Sequence, residues 1–274
     1  MFYHDGGKLQ YEVKVSNPDP LFAKALQQAI GGIQGEIRVC LQYLFQAWGA
    51  RGPAKYRDML LETGTEEISH IEMLATAVAL NLEGSPLELE EAAKDPMVYA
   101  KLGGMNIQHV IGTCMAAMPV DSEGVPFNCS HVYASGNAAA DMLANAMAES
   151  TGRMLAVQLF RMTDDPGMKD MLSFMIARDT MHQEQWMAAW EELGGRDNHP
   201  IPNSFMQEME NQDVNYTFFT LGKDSDVPQP TGNWSSGESF DGRSTFKTER
   251  MEPKGEKPDL GSASPKAPVQ KGQL

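Results

Sequence analysis

The chain has 274 residues, of which 42% are apolar, so it can form one large folded domain or one domain with a long tail. Its formal net charge is −15, which argues against nucleic-acid binding because that function needs a basic surface. No polybasic patch for an acidic membrane surface is present either. The most apolar helical stretch is interrupted by Glu36 and Arg38, so it does not qualify as a membrane span.

The cysteines also limit the class of protein. Cys40, Cys114 and Cys129 are odd in number and widely spaced, and they form neither a zinc-type nor a redox-type pair. The first fifteen residues lack the basic and apolar segments of a signal peptide. We therefore expect reduced thiols in a cytoplasmic protein.

Residues 2–15 alternate in polarity around a DGG turn signal, which predicts a short N-terminal β-hairpin. Four long helical patterns follow. The first begins after the cap residues of SNPDP and ends at GARGP, the second ends at EGSP, the third follows SG, and TDDPG separates it from the fourth. The predicted helices span about residues 21–48, 54–82, 137–162 and 168–193.

The connections complete the expected organisation. Residues 83–135 contain glycines, prolines and short apolar segments, which predict a long central crossover with one or two short helices. Residues 224–274 are rich in Pro, Gly, Ser and Lys and cannot form a core of their own. We expect a domain of residues 1–195 and a C-terminal extension of residues 196–274, either disordered or packed as an arm on a neighbour.

Long helices with one long central connection favour an all-α fold, a ferritin-like four-helix bundle. Unrelated pairwise helix packing is the alternative. The bundle is favoured because acidic and imidazole side chains interrupt the apolar faces of the four helices at matched positions. In each half of the chain, a lone glutamate precedes an acid-x-x-His pair, by 31 positions in the first half and 30 in the second. The six residues are Glu36, Glu67, His70, Glu149, Asp179 and His182.

The spacing has a chemical consequence. Residues three apart lie on one helix face, so each acid-x-x-His pair can point into a bundle. A buried cluster of carboxylates without cations would be strongly destabilising, and two divalent ions would neutralise it. Carboxylate and imidazole ligands suit iron, manganese or zinc rather than copper(I). A single acid-x-x-His pair on a helix usually consists of solvent-exposed side chains that bind no metal. Two helical hairpins with matched spacing favour a dimetal site.

The second pair differs from the first in one side chain. Asp179 is one methylene shorter than the glutamate of a symmetric diiron site, so we expect it just outside the ligands, acting as a general acid or base through a metal-bridging water. Tyr43, two helical turns after Glu36, either orients the Glu36 carboxylate or is a core aromatic residue. The predicted metal ligands are Glu36, Glu67, His70, Glu149 and His182.

Several segments resemble the manganese catalases, the non-haem dimanganese type: GGIQGE, KYRDMLLETGTEEISHIEM, ASGNAAADM, AESTGR and DMLSFMIARDTMHQ. The resemblance covers most of the chain. It implies a dimanganese site that disproportionates hydrogen peroxide to water and dioxygen, with the five predicted ligands holding the metals and Asp179 handling protons. It also implies a homo-hexamer whose C-terminal arms wrap neighbouring subunits.

Besides Asp179, where the family often has Glu, the sequence departs from the family at two places. Some members carry an arginine before the third-helix glutamate, near the substrate channel, but this chain has Ala148 there, so that gating role is not carried over. Some members bind calcium at a subunit contact. Asp58 and Glu62 lie in the matching stretch, but the tail segment YTFFTLGKDS differs from the family pattern, which leaves calcium open.

The residues themselves fit manganese and iron equally, and the resemblance selects manganese. Peroxide chemistry needs a metal with two accessible oxidation states, so zinc is unsuitable. Two alternatives to a catalase stay open: a diiron carboxylate oxidase or ferroxidase on the same bundle, and a structural, coat-like protein that retains the metal site.

Overall fold

The structure, a computed structural model, describes residues 6–84, 116–221 and 231–258. The chain divides into two compact units, Met1–Ser204 and Phe205–Leu274. The first unit contains all the long helices of the described residues, and the second contains a small sheet. The helices are α1 (Pro20–Gly31), α2 (Glu36–Gly49), α3 (Ala54–Asn81), α4 (Ala138–Met162) and α5 (Pro166–Glu192).

The first predicted helix, residues 21–48, was wrong as a single element, because a glycine-rich break separates α1 from α2. A Cβ added to Gly31 would lie 2.4 Å from the Val120 carbonyl oxygen, so only glycine lets the crossover backbone approach here. A Cβ added to Gly35 would lie 2.6 Å from the Ile30 carbonyl oxygen. The break makes Glu36 the first residue of α2. The apolar pattern continues across the break, which hides it in the sequence.

The other three long helices agree with the predicted ranges to within about two residues, and their caps explain why. Asn137 accepts a hydrogen bond from the Ala140 amide and begins α4. Asp165 accepts hydrogen bonds from the Gly167 and Met168 amides, with Pro166 at the first helical position of α5.

Two apolar clusters form the core of the first unit. In this unit α2 packs mainly against α3, and α4 packs mainly against α5. One cluster includes Leu26, Leu74 and Leu172, and the other includes Tyr43 and Trp186. On α3 the buried Glu67 and His70, and on α5 the buried Asp179 and His182, fall between the residues that belong to these two clusters. The site therefore lies in the interior, on rigid helices.

The prediction of an N-terminal hairpin was wrong for residues 6–15. Residues 6–15 contain no strand, and residues 1–5 lie outside the described ranges. The alternation has another cause, because every second side chain packs on the helical core. Tyr11 stacks on Phe174 of α5 with ring centroids 4.4 Å apart. The packed residues are Leu9, Tyr11, Val13 and Val15.

The central connection is described only from residue 116 onward. The one or two short helices predicted for residues 83–135 therefore fall largely in residues 85–115, outside the described ranges, as does Cys114. The described part contains an isolated bridge between Val120 and Pro126 and a short 3-10 helix at Cys129–His131. Cys40 is buried, and Cys129 is exposed, each as a free thiol.

The second unit contains a three-stranded sheet, so the all-α expectation was wrong in this detail. Its strands are β1 (Thr217–Thr220), β2 (Gly237–Glu238) and β3 (Thr245–Arg250). β3 lies in the centre, parallel to β1 and antiparallel to β2. Backbone pairing organises this unit, with a local ring contact between Phe218 and Trp234, whose centroids are 4.8 Å apart. In the described ranges, no helix is both long and apolar enough to cross a membrane.

Candidate metal centre

Five of the six patterned residues come together in two overlapping trios. Within each trio, one potential ligand atom per residue lies within 4.8 Å of those of the other two. The first trio combines residues of α2 and α3, and the second combines residues of α3, α4 and α5. Glu67 belongs to both. The trios are Glu36–Glu67–His70 and Glu67–Glu149–His182.

The two oxygens of Glu67 face different imidazoles. Glu67 Oε2 lies 2.7 Å from His70 Nδ1, and Glu67 Oε1 lies 3.0 Å from His182 Nδ1. A second carboxylate approaches each ring, with Glu36 Oε2 at 3.8 Å from His70 Nδ1 and Glu149 Oε1 at 3.4 Å from His182 Nδ1. The two rings are near parallel, with centroids 5.9 Å apart. Each Nδ1 atom thus faces a pair of carboxylates.

The residues fit two divalent metal ions. Glu67, His70, Glu149 and His182 are at most 3% exposed. Glu67 Oε1 and His182 Nδ1 are buried and have no hydrogen-bond partner among the described residues, although they lie 3.0 Å apart. Buried polar atoms without partners are costly, and a cation bound between such groups satisfies them. Carboxylate and imidazole donors suit manganese and iron.

The pKa values of the site residues also indicate that the buried carboxylates require positive charge nearby. Burial, together with the charge of Glu67, raises the pKa of Glu36 well above its usual value. Burial disfavours the charged form of His182, but Glu149, Glu66 and Glu67 outweigh it and raise its pKa to about 12. Burial favours a protonated Glu67, but the two imidazoles outweigh it and lower its pKa. Without metal, the site retains protons where cations would otherwise balance its carboxylates.

Asp179 lies on α5, one turn before His182, and is only 4% exposed. It belongs to neither trio. Burial raises its pKa to about 8, and the nearby charges of Glu149 and Glu67 add to this effect. Its carboxyl group is therefore a buried proton-binding group beside the trios.

Tyr43 is completely buried, but its expected partner was wrong. Its hydroxyl donates a hydrogen bond to Glu149 Oε1 on α4 rather than to Glu36. Seven residues separate Tyr43 from Glu36, which is roughly 10 Å along a helix axis, so the facing helix is nearer. The ring of Tyr43 packs against Trp186, with centroids 4.8 Å apart.

Sequence reasoning missed Glu66, the first glutamate of TEEISH. Its carboxylate is bound by Arg178 and Gln10, and it approaches the far side of both imidazoles. Burial opposes its ionisation, but contacts with His182, His70 and Arg178 outweigh burial and lower its pKa. Its position four residues before His70, on the same helix face, was the available signal.

A buried amide cluster was also missed. Gln42 and Gln46 each donate a side-chain hydrogen bond of 2.8 Å to Asn145 Oδ1, and Asn145 returns one of 2.7 Å to Gln46. Both glutamines also bind the backbone of Tyr133 in the crossover. This cluster connects α2 to α4 one turn before Glu149. Glutamines four residues apart within an apolar face were its signal in the sequence.

The structure describes the surroundings of Ala148 and of the two acids considered for calcium binding. Ala148 is 1% exposed and belongs to the core around Tyr43 and Trp186. Asp58 and Glu62 are both exposed on α3, and Asp58 accepts a hydrogen bond of 2.9 Å from its neighbour Arg57. Among the described residues, neither acid belongs to a cluster of metal-binding type.

Long helices that bring two overlapping carboxylate–imidazole trios together are typical of the ferritin-like dimetal proteins. The family described as "Manganese containing catalase" matches residues 1–272. The chain is similar to a manganese catalase of Bacillus subtilis, 45% identical over 266 residues that cover 97% of this chain and 96% of the relative. It is also similar to one of Lactiplantibacillus plantarum, 38% identical over 81% of this chain and 82% of the relative.

The fold agrees with a solved structure. KatB, a manganese catalase from Anabaena, superposes with a TM-score of 0.71, covering 92% of this chain and 100% of that one at 24% identity. This similarity supports the helix-rich, ferritin-like fold. On the family match and the sequence relatives, the chain belongs to the manganese-containing catalase family.

Proposed function

We propose that the protein disproportionates hydrogen peroxide to water and dioxygen with two manganese ions held by the two trios. The observation that carries the site assignment is Glu67, whose two carboxylate oxygens face different imidazoles at 2.7 and 3.0 Å. Such a carboxylate can bridge two ions. Family membership supports manganese and peroxide, and it disfavours both the diiron oxidase and the coat-like protein.

Two ions would be held by one histidine and one further glutamate each, with Glu67 reaching both. Glu36 and His70 complete one site, and Glu149 and His182 complete the other. The bound manganese pair supplies the two-electron oxidation of one peroxide and the two-electron reduction of the next. The Tyr43 hydroxyl donates to Glu149 and holds this carboxylate in one orientation.

Asp179 holds protons between the two halves of the reaction. Oxidation of one hydrogen peroxide to dioxygen releases two protons and two electrons, and reduction of the second to two waters consumes the same number. A nearby group that binds and releases a proton therefore serves both halves. Asp179 is suitable because it is buried, lies beside the trios and is free of both.

Several finer features are proposed from the sequence and from the family resemblance. The sequence predicts a bundle domain of residues 1–195 and a C-terminal extension of residues 196–274, whereas the compact units divide after Ser204. The assembly is a homo-hexamer in which these extensions pack as arms on neighbouring subunits, and the protein is cytoplasmic. Calcium at Asp58 and Glu62 stays a prediction. Calcium content of the purified protein and of an Asp58→Asn variant would test it.

The metal assignment is tested by His182→Ala. Loss of one imidazole should reduce manganese from two ions to one per chain and lower dioxygen release by more than about 100-fold. Manganese is measured by mass spectrometry after gel filtration. The control is His131→Ala, the same substitution in the crossover, which should retain both ions. Two ions per chain in His182→Ala would contradict the ligand assignment.

A further inference from the structure

Glu66 lies against the imidazoles of His70 and His182, on the side of the two rings opposite to Glu67. Its Oε2 atom is 3.1 Å from His182 Nε2, and its Oε1 atom is 3.7 Å from His70 Nε2. The Nδ1 atoms of the same rings face Glu67. One carboxylate thus faces the far nitrogen of both histidines, as Glu67 faces the near ones.

Donors from two other segments fix the Glu66 carboxylate in place. Arg178 on α5 donates from Nε to Oε1 at 2.7 Å and from Nη2 to Oε2 at 3.1 Å. Gln10, in the extended N-terminal segment, donates to Oε1 at 2.7 Å. A two-point arginine–carboxylate contact fixes orientation as well as position. The Glu66 side chain is 19% exposed, so most of its surroundings are protein.

An acceptor beside one ring nitrogen of a histidine determines which nitrogen is free to bind a metal. A neutral ring carries one N–H and one lone pair, and a metal takes the nitrogen with the lone pair. An acceptor at one nitrogen therefore selects the other nitrogen for the metal. His70 Nε2 is buried and has no hydrogen-bond partner among the described residues, and it points at Glu66 from just beyond hydrogen-bond distance.

We propose that Glu66 is a positioning residue that holds both histidines with Nε2–H toward itself and Nδ1 toward the manganese pair. The inference deepens the proposed function and rests on it only in requiring metal ions at the trios. Arg178 and Gln10 support Glu66 by orienting its carboxylate. One shared acceptor couples the two rings, so a change at Glu66 affects both metal sites together.

An amide cannot replace this carboxylate. Both oxygens of Glu66 face donors, since Arg178 contacts each of them and an imidazole approaches each. Glu66→Gln would place an NH2 group against N–H donors at one of the two positions. That variant therefore loses the acceptor for at least one ring while the side-chain volume stays almost unchanged.

The ring orientation can be measured directly. Protein with 15N-labelled histidine is loaded with zinc, a diamagnetic probe, and long-range 1H–15N correlation spectra report which nitrogen carries the proton. Signals are assigned with His70→Ala and His182→Ala. We expect Nε2–H for both rings in the parent, and loss of a single defined tautomer for at least one ring in Glu66→Gln. Nδ1–H with zinc on Nε2 in the parent would overturn the proposal.

Metal affinity gives a second readout. Glu66→Gln should bind manganese about 10- to 100-fold more weakly than the parent in competition with a chelator, because the rings lose their fixed orientation. The matched control is Glu184→Gln, the same change at an exposed position on α5, with the parent's affinity expected. Equal affinities for all three proteins would overturn the proposal. If Glu66→Gln does not fold, Arg178→Lys replaces it, with a weaker affinity expected and an unchanged one contradictory.

Neither readout depends on turnover. A parent protein that binds two manganese ions but releases no dioxygen would refute the proposed catalase function. The comparison of tautomers and affinities would still decide the role of Glu66. Conversely, unchanged tautomers in an active enzyme would refute the role of Glu66 alone.

Discussion

At this site, two acids that differ in length by one methylene lie at corresponding helical positions but have different surroundings. Glu67 on α3 and Asp179 on α5 each lie three residues before a histidine, so they occupy corresponding helical positions. Glu67 belongs to both trios, whereas Asp179, one methylene shorter, belongs to neither. The matched spacing therefore places two acids beside one site, and the proposed function gives them different roles.

This difference predicts the behaviour of Asp179→Asn. The variant should retain two manganese ions per chain, but its rate should fall by about 100-fold or more because an amide cannot take up the proton. Metal content and dioxygen release from the same preparation provide the measurement. Asp164→Asn, the same change on an exposed loop, is the control. An empty metal site in Asp179→Asn would mean that Asp179 is a ligand.

At this scale, helical periodicity and the matched spacing of the two halves were sufficient to predict the five residues of the trios. The rule that residues three or four apart share a face placed each acid-x-x-His pair, and the spacing of 31 and 30 residues within a bundle placed the two lone glutamates. The partner of Tyr43 was not predictable in this way, because its hydroxyl reaches across to Glu149 on a different helix. Glu66 lies four residues before His70 on the same helix face, so part of its environment was predictable, but its contacts with Arg178 and Gln10 were not.

At the scale of the element, the break between α1 and α2 positions Glu36. It places this glutamate at a helix N-terminus, where a carboxylate interacts favourably with the free backbone amides. The close approach of the Val120 backbone to Gly31 explains why the chain uses glycine there. The break is set by contacts with a distant segment, so local periodicity could not reveal it.

Gly31→Ala tests the importance of this contact. Its Cβ would lie 2.4 Å from a backbone oxygen that cannot move aside easily, so the free energy of unfolding should fall by about 1–3 kcal/mol. Thermal unfolding measures the loss. Gly49→Ala, at the end of α2, has open space around its Cβ and should change stability by no more than about 1 kcal/mol. Equal effects of the two substitutions would contradict the role of the contact.

The N-terminal segment shows a different limit of sequence reasoning. Its alternation of apolar residues is real, but a strand paired in a hairpin and an extended segment lying on helices produce the same pattern. The structure has the second arrangement in residues 6–15, and Gln10 from this segment reaches Glu66. The two arrangements differ in what the apolar side chains pack against, and the sequence of this segment does not contain that information.

At the scale of the whole molecule, the metal site links folding to pH. In the metal-free protein the raised pKa of Asp179, about 8, adds stability that is fully present below its unfolded pKa of about 4 and is lost as the pH rises through 8. The raised pKa of His182, about 12, adds stability that is present below about 6.5 and is lost as the pH rises toward 12. Manganese at the trios must displace the His182 proton, so its binding strengthens as pH rises.

Manganese should therefore raise the melting temperature more at pH 8.5 than at pH 6. Chelator-treated protein is melted with and without manganese at both pH values, with magnesium at equal concentration as the control for ionic strength. The lowered pKa of Glu67 acts only at acid pH and leaves this window unaffected. A larger increase at pH 6 would contradict the coupling between protons and metal.

The composition of the whole chain predicted the helical unit better than the second unit. Long periodic helices carry a strong local signal, whereas the three short strands between residues 217 and 250 depend on backbone pairing between distant segments. A Pro-, Gly- and Ser-rich composition indicates only that an apolar core is lacking. It cannot exclude a small sheet.

Manganese catalysis is tested most directly by dioxygen release when hydrogen peroxide is added to the purified protein, expressed with manganese and measured with an oxygen electrode. We predict one dioxygen for every two peroxides, sustained over many turnovers, from protein that holds two manganese ions per chain. No dioxygen from fully loaded protein would contradict the proposed function. The diiron oxidase and the structural role would then be the hypotheses to test.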